Sequence, residues 1–258
     1  VIEIIFICLA AFFTAILTFF SGFGLGTILM PVFAIFFPVE IAIALTGVVH
    51  FSSNIYKVIL VGKKASKEVL LNFGIPAILA AFVGAWLLLR ITKMPSLYHY
   101  QMFHKVFEIT PVKLIIAILL IVFSIIEIVP SFKKLQFNKR RLALGGLLSG
   151  FFGGLTGIQG AIRSAFLIKS GLSKDAYIAT GVVISCLVDF TRLSVYASRF
   201  KEANLQEHTT LIISAVLAAI AGASISNIVL KKITLKFIQG LVATMLILIG
   251  IALGAGII

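Results

Sequence analysis

Two sets of polar residues stand inside apolar runs at matching helical spacing. His50, Asn54 and Lys57 fall at i, i+4 and i+7 within the run 41–62. That spacing places them on one face of a helix. Ser185, Asp189 and Arg192 repeat it within the run 176–198, shifted by 135 positions. Imidazole, carboxamide, ammonium, carboxylate and guanidinium groups together can hold an anion and exchange a proton. Such groups are costly in a bilayer, so they line a polar interior or pair with one another. Lys57 and Arg192 also admit a second reading, in which each snorkels to its nearer interface. Asp189 lies deeper in its run. It is either the ion-pair partner of Arg192 three residues on, or a proton-coupling carboxylate.

Arg163 is the sharpest single residue. It follows Gly153-Gly154-Leu155-Thr156-Gly157-Ile158-Gln159-Gly160 and opens a short apolar run. A helix N-terminus there presents free N–H groups and partial positive charge. A guanidinium beside it adds a planar, permanent cation suited to oxyanions. With the break at mid-depth, Gly157, Gln159, Gly160, Arg163 and Ser164 make an anion site. With the break at the surface, Arg163 meets lipid headgroups. A second glycine break, Ser21-Gly22-Phe23-Gly24-Leu25-Gly26, would bring another helix N-terminus to the same region through Gly22, Gly24 and Gly26. The alternative use of these glycines is close helix packing or a kink. The candidate substrate site therefore comprises these glycines with Gln159, Arg163, Ser164, His50, Asn54, Lys57 and Arg192. Asp189 is the candidate for proton coupling.

The elements that must position these groups follow from composition. Of 258 residues, 60% are hydrophobic and 12% are charged, and the mean hydropathy is +1.17. Soluble domains carry about 45–50% apolar and about 25% charged residues. A soluble protein with half the usual charge could not cover its surface. The apolar runs are 2–20, 24–37, 41–62, 69–90, 112–129, 142–156, 160–172, 176–198, 208–230 and 235–258. Backbone groups in lipid must be satisfied internally, and strands of a barrel would be short and alternating, so each run reads as helix. A crossing takes about 20 residues. The runs 24–37, 142–156, 160–172 and, marginally, 2–20 fall short of that and flank the glycine breaks, as expected for re-entrant hairpins or broken helices. The fold class is an all-α polytopic membrane protein with about 8 to 10 helical segments.

Orientation follows from Lys and Arg. If each glycine-centred pair goes in and comes back, four loops share one side. They hold Lys63, Lys64 and Lys67; Lys133, Lys134, Lys139, Arg140 and Arg141; Lys169 and Lys174; and Lys231, Lys232 and Lys236. The other side holds Arg90, Lys93, Lys105, Lys113, Arg199 and Lys201. The positive excess places the first set in the cytoplasm and both termini outside. Net charge is +13, which in a soluble chain would suggest nucleic acid; here it orients the protein among lipids. The opening run lacks a basic n-region and a cleavage motif, so no signal peptide is expected.

An internal repeat divides the chain. Thr46-Gly47-Val48-Val49 recurs as Thr180-Gly181-Val182-Val183, and Gly26 and Gly160 each precede the threonine by 20 positions. Ala80-Ala81-Phe82-Val83-Gly84-Ala85 is matched by Ala218-Ala219-Ile220-Ala221-Gly222-Ala223. Each half would hold one glycine-broken hairpin and three helices, so the second half starts on the other side and the repeats are inverted. The expected division is 1–129, a cytoplasmic linker 130–141, and 142–258, together one transport body.

Other chemistries are absent from the sequence. Gly22-x-Gly24-x-Gly26 follows no strand and is no nucleotide fingerprint. There is no Walker A sequence, nucleophile elbow or HExxH. His50, His99, His104 and His208 are scattered, and Cys8 and Cys186 form no metal spacing. No metal or cofactor is expected. The outer loop 91–111 reads as solvated at His99 and His104, with Tyr98, Tyr100, Phe103 and Phe107 as an interfacial aromatic segment.

Ser21-Gly22-Phe23-Gly24-Leu25-Gly26-Thr27-Ile28-Leu29-Met30-Pro31 with the Thr46-Gly47 helix resembles the sulfite exporter TauE/SafE permeases. So does Gly150-Phe151-Phe152-Gly153-Gly154-Leu155-Thr156-Gly157-Ile158-Gln159-Gly160 with the Thr180-Gly181 helix. The resemblance covers nearly the whole chain. It departs from the pattern where Ala165 replaces a second proline and Arg163 enters the motif. It implies a multi-pass permease of the cytoplasmic membrane, not an enzyme, that carries anions such as sulfite, sulfoacetate or related sulfonates. The driving force it implies is an ion gradient, with the proton as a candidate coupling ion. A passive anion channel would use the same residues without coupling. An intramembrane enzyme would need a nucleophile–base pair or a metal cluster.

Overall fold

The computed structural model describes residues 2–21, 25–102, 104–129, 139–168, 170–197, 208–229 and 235–258. Among them are ten helices: α1 (Ile2–Ser21), α2 (Leu25–Phe36), α3 (Val39–Val61), α4 (Lys67–Ile91) and α5 (Pro111–Ile128), followed by α6 (Leu142–Thr156), α7 (Gly160–Leu167), α8 (Lys174–Tyr196), α9 (Thr209–Val229) and α10 (Leu235–Gly254). The all-α polytopic class is as expected. Ile41–Lys64, Lys67–Ile91, Lys174–Tyr196 and Thr209–Ser226 are long and apolar enough to cross a membrane. The 23 residues of α3 extend about 34 Å at 1.5 Å per residue, enough for a hydrocarbon core of about 30 Å. The 12 residues of α2 and 8 of α7 extend only about 18 and 12 Å.

Local chemistry sets the helix ends. The hydroxyls of Ser66, Thr110 and Ser173 accept from the N–H groups of Val69, Lys113 and Ala176, capping α4, α5 and α8. Pro111 follows its cap at the first helical position, where a missing N–H is harmless. Pro76 has the opposite effect inside α4. Just before it the ladder widens into a π-turn, Leu70–Gly74, a common response where an N–H is missing. The run 69–90 gave no sign of that turn.

The loop 91–111 corrects one expectation. Within 91–111 lies an antiparallel hairpin of β1 (Tyr98–Met102) and β2 (Lys105–Ile109), with Tyr100 opposite Phe107. The rings of Tyr100 and Phe107 stack, and the Tyr100 hydroxyl donates to the Ala255 carbonyl beyond α10. His99 and His104 are exposed, as expected, and His104 takes the positive-φ turn position. Phe103 lies outside the described residues.

Packing depends on glycine. A Cβ on Gly146, Gly150 or Gly154 of α6 would collide with the carbonyl oxygen of Phe73, Ala77 or Ala81 of α4, and one on Gly84 with that of Phe151. Lipid gives no hydrophobic drive for helices to associate, so close backbone contact and dispersion carry the seam. The α1–α9 seam is built alike. Gly222 lies on the Phe12 carbonyl, and Ala11, Ala15, Ala215 and Ala219 are buried around it. α5 packs on α10, where Gly250 meets Ile121 and Ala117. α3 and α8 pack on one another; α9 also contacts α3, and α4 contacts α8.

Polarity is arranged inside out. Phe6, Phe13, Leu79, Phe82, Leu217 and Leu248 are exposed, whereas Thr46, His50, Asn54, Lys57, Asp189 and Arg192 are buried. Apolar outer faces around a polar interior are what a bilayer demands, and the chain is an integral membrane protein. Most of the expected linker 130–141 lies outside the described residues. Lys139–Arg141 form a 3-10 turn, and Lys139 pairs with Glu68 at 2.8 Å.

Candidate functional site

The site begins at the α6–α7 break. Gly157 ends α6 in the left-handed region, φ 81, and its N–H returns to the Gly153 carbonyl. A side chain there would be strained, which explains the glycine. The Thr156 hydroxyl accepts from the Ile158 N–H, and the Ser149 hydroxyl donates to the Gln159 carbonyl. These bonds hold a sharp turn that starts α7 at Gly160. Gln159 sits at the N-cap without capping. Its side chain is fully buried, and neither its amide nitrogen nor its oxygen has a hydrogen-bond partner. Gly26, near the start of α2, comes to the same place: a Cβ on it would lie 3.3 Å from the Gly157 carbonyl oxygen and 3.8 Å from the His50 ring. The two glycine breaks therefore approach each other at Gly26 and Gly157. Gly22 and Gly24 lie outside the described residues.

The polar stripes of α3 and α8 face each other. Asp189 Oδ2 accepts from Asn54 Nδ2 at 2.9 Å and lies 2.7 Å from His50 Nδ1. Asp189 Oδ1 accepts from Arg192 Nε at 3.0 Å, with Arg192 Nη2 also 3.0 Å away. Lys57 is 4% exposed and Arg192 0%, so neither snorkels. The ion-pair reading of Asp189 and Arg192 holds. Arg192 Nη1 is buried without a hydrogen-bond partner. Its guanidinium rests against Gly157 and Gly47, where a Cβ would lie 2.5 Å from Nη1 and 3.5 Å from Cζ.

Arg163, on α7, is also buried, and its Nη1 donates to the Ser185 hydroxyl of α8. A Cβ on Gly181 would lie 3.4 Å from its Nε. The charges of Lys57 and Arg163 repel one another, and Asp189 attracts both. Ser164 is half-buried beside Arg163 on α7, and Gly160 is buried at the helix start.

Sequence reasoning missed what the repeated Thr-Gly pairs do. Gly47 receives the guanidinium of Arg192, and Gly181 receives that of Arg163. Thr46 keeps a buried hydroxyl with no hydrogen-bond partner, whereas the Thr180 hydroxyl accepts from the Ser66 N–H. Tyr196, one turn beyond Arg192, donates its hydroxyl to the Gly154 carbonyl and ties α8 to α6. The repetition of Thr-Gly was the available signal, and it marked these positions without saying what they touch.

A family model for the sulfite exporter TauE/SafE matches residues 7–253, nearly the whole chain. No curated protein and no solved structure gives a match. The chain belongs to this family of membrane transporters.

Proposed function

We propose that this TauE/SafE family member is a secondary transporter of small sulfur-containing oxyanions, namely sulfite, sulfoacetate or related sulfonates, across the cytoplasmic membrane, driven by an ion gradient. The observation that carries this is the charge of the interior. Buried in the interior are the cations Lys57, Arg163 and Arg192, gathered around the carboxylate of Asp189. Buried charge is costly unless it is paired, and a small oxyanion is suited to pair with such a group of cations. Arg192 Nη1, the Gln159 amide and the Thr46 hydroxyl add buried donors without partners, suited to an anion with several oxygens. The substrate site then takes in both arginines, Lys57 and the turn 157–164.

Reading 1–129 and 142–258 as inverted repeats is supported by how the seams exchange partners. α4 packs on α6 as α9 packs on α1, while α3 pairs with α8 and α5 with α10, each with its counterpart. The charge asymmetry of the loops favours external termini and a cytoplasmic 130–141 segment.

Uptake of labelled sulfite and sulfoacetate into proteoliposomes, with and without a pH gradient, tests the proposal. Saturable uptake, with accumulation when the gradient is imposed, is expected. Non-saturable flux indifferent to the gradient would identify a passive channel, and absence of flux would reject anion transport.

A further inference from the structure

We infer that His50 takes up a proton together with the transported anion, and that Asp189 is the fixed carboxylate that positions it. This rests on the anion-transport reading above and reassigns the proton from Asp189 to the imidazole.

Asp189 is poorly placed to take the proton itself. Asn54 and His50 address one of its oxygens and Arg192 Nε the other, at 2.7–3.0 Å. A proton on either oxygen would displace a donor and leave the Arg192 guanidinium buried beside a neutral acid. His50 has room for the change. With Nδ1–H turned to the carboxylate, a second proton bonds to Nε2 and gives an imidazolium held in a buried ion pair. The ring is 2% exposed and lies against Gly26, where the glycine breaks meet. The proton comes from water on one side and returns to water on the other, so no other reactant is needed.

The position of this pair explains the coupling. Along α8, Gly181 and Ser185 contact Arg163 on one side of Asp189, and Arg192 lies on the other. Gly181 and Arg192 are eleven residues apart, about 16 Å along the helix. An anion passing from one arginine to the other runs by the Asp189 carboxylate, which repels it. A proton on His50 offsets that repulsion. Conversely, the charges facing the ring are Asp189 and Arg192 from α8 and Lys57 from its own helix, with Arg163 of α7 beyond Lys57. α2 presents no titratable group. A bound anion offsets the cations among these and makes a further positive charge on His50 tolerable. The linkage is reciprocal: whatever the proton does for anion affinity, the anion does for proton affinity.

Sulfoacetate is the appropriate probe, because both its acidic groups stay ionised between about pH 6 and 8. It carries no proton of its own there, whereas sulfite can. Calorimetric titration of the purified wild type in buffers of different ionisation enthalpy counts the protons taken up per anion bound. Uptake approaching one proton is expected, with affinity rising as pH falls, by up to about tenfold per unit. His50→Gln is expected to bind more weakly, with no proton taken up and an affinity flat over the same range. A wild type that binds sulfoacetate with no proton uptake overturns the inference, even if the variant does not fold. So does a folded His50→Gln protein with wild-type proton uptake. Failure of sulfoacetate, sulfate and sulfite alike to bind would instead reject the anion site itself, and the proton inference with it.

Discussion

Asp189 and Arg192 are buried against each other at 3.0 Å, so removing them singly and together should give different results. Asp189→Asn leaves a guanidinium without its carboxylate, and Arg192→Gln leaves a carboxylate without its permanent cation. Breaking one side of such a pair costs about 3–5 kcal/mol. Each single variant should therefore unfold at clearly lower temperature, and the double variant should lose less than the sum of the two. Strictly additive losses would show that the pair is not energetically coupled. Arg163 calls for a different measurement, because its proposed role is toward substrate. A charge-assisted hydrogen bond is worth about 1.5–3 kcal/mol. Arg163→Gln should thus weaken sulfite or sulfoacetate binding by about one to two decades in a folded protein, and Arg163→Lys should recover part of the loss. Unchanged affinity in Arg163→Gln would move the site toward Lys57 and Arg192. Spacing alone was enough to place His50, Asn54, Asp189 and Arg192 on facing stripes, because three- and four-residue intervals fix a helical face. Spacing could not give depth, and Lys57 and Arg192 read equally well as snorkelling groups until their burial was seen. Thr46 and Gly47 carried no charge to draw attention, and their partner Arg192 is remote in sequence.

The broken helices depend on glycine in two separable ways, and Gly157 combines them. Its positive φ makes any side chain unfavourable by about 1–2 kcal/mol, and a methyl would lie 2.5 Å from Arg192 Nη1. Gly171 has a similar φ of 76 with nothing within 4 Å of an added Cβ. Gly157→Ala should therefore lower both thermal stability and anion affinity, while Gly171→Ala should lower stability alone. Equal affinity in the two variants would detach the Gly157 turn from the site. The helices themselves were largely legible, because apolar runs and glycine breaks mark them, whereas the Ser66, Thr110 and Ser173 caps were not read. The hairpin in 91–111 was not, since its alternation is short and its residues are aromatic enough to suggest a membrane interface. The π-turn before Pro76 was hidden too, because a run of apolar residues looks the same whether its ladder is regular or widened.

At the scale of the whole molecule, the loops decide orientation and the interior decides function. The excess of Lys and Arg on one set of loops predicts external termini and a cytoplasmic 130–141 segment. A cysteine introduced as Ser131→Cys should resist impermeant thiol reagents applied to intact cells and react once the membrane is opened. Ready reaction from outside would reverse the topology. The proposed two-half layout rests on the Thr-Gly and Ala-Gly repeats, and the likeness of the α4–α6 seam to the α9–α1 seam supports that proposal. Sequence could not reveal that both arginines would be buried against the glycines of those same repeats, since that depends on how the helices close around one interior. The central claim is that an oxyanion binds where this buried positive charge meets the two glycine breaks. Selenite, the heavier analogue of sulfite, soaked into crystals of the protein would test it through the anomalous signal of selenium. The account predicts a peak within hydrogen-bonding reach of the Arg163 or Arg192 guanidinium, beside the Gly157–Ser164 turn; selenium found only at exposed lysines on the surface, with none in the interior, would contradict it.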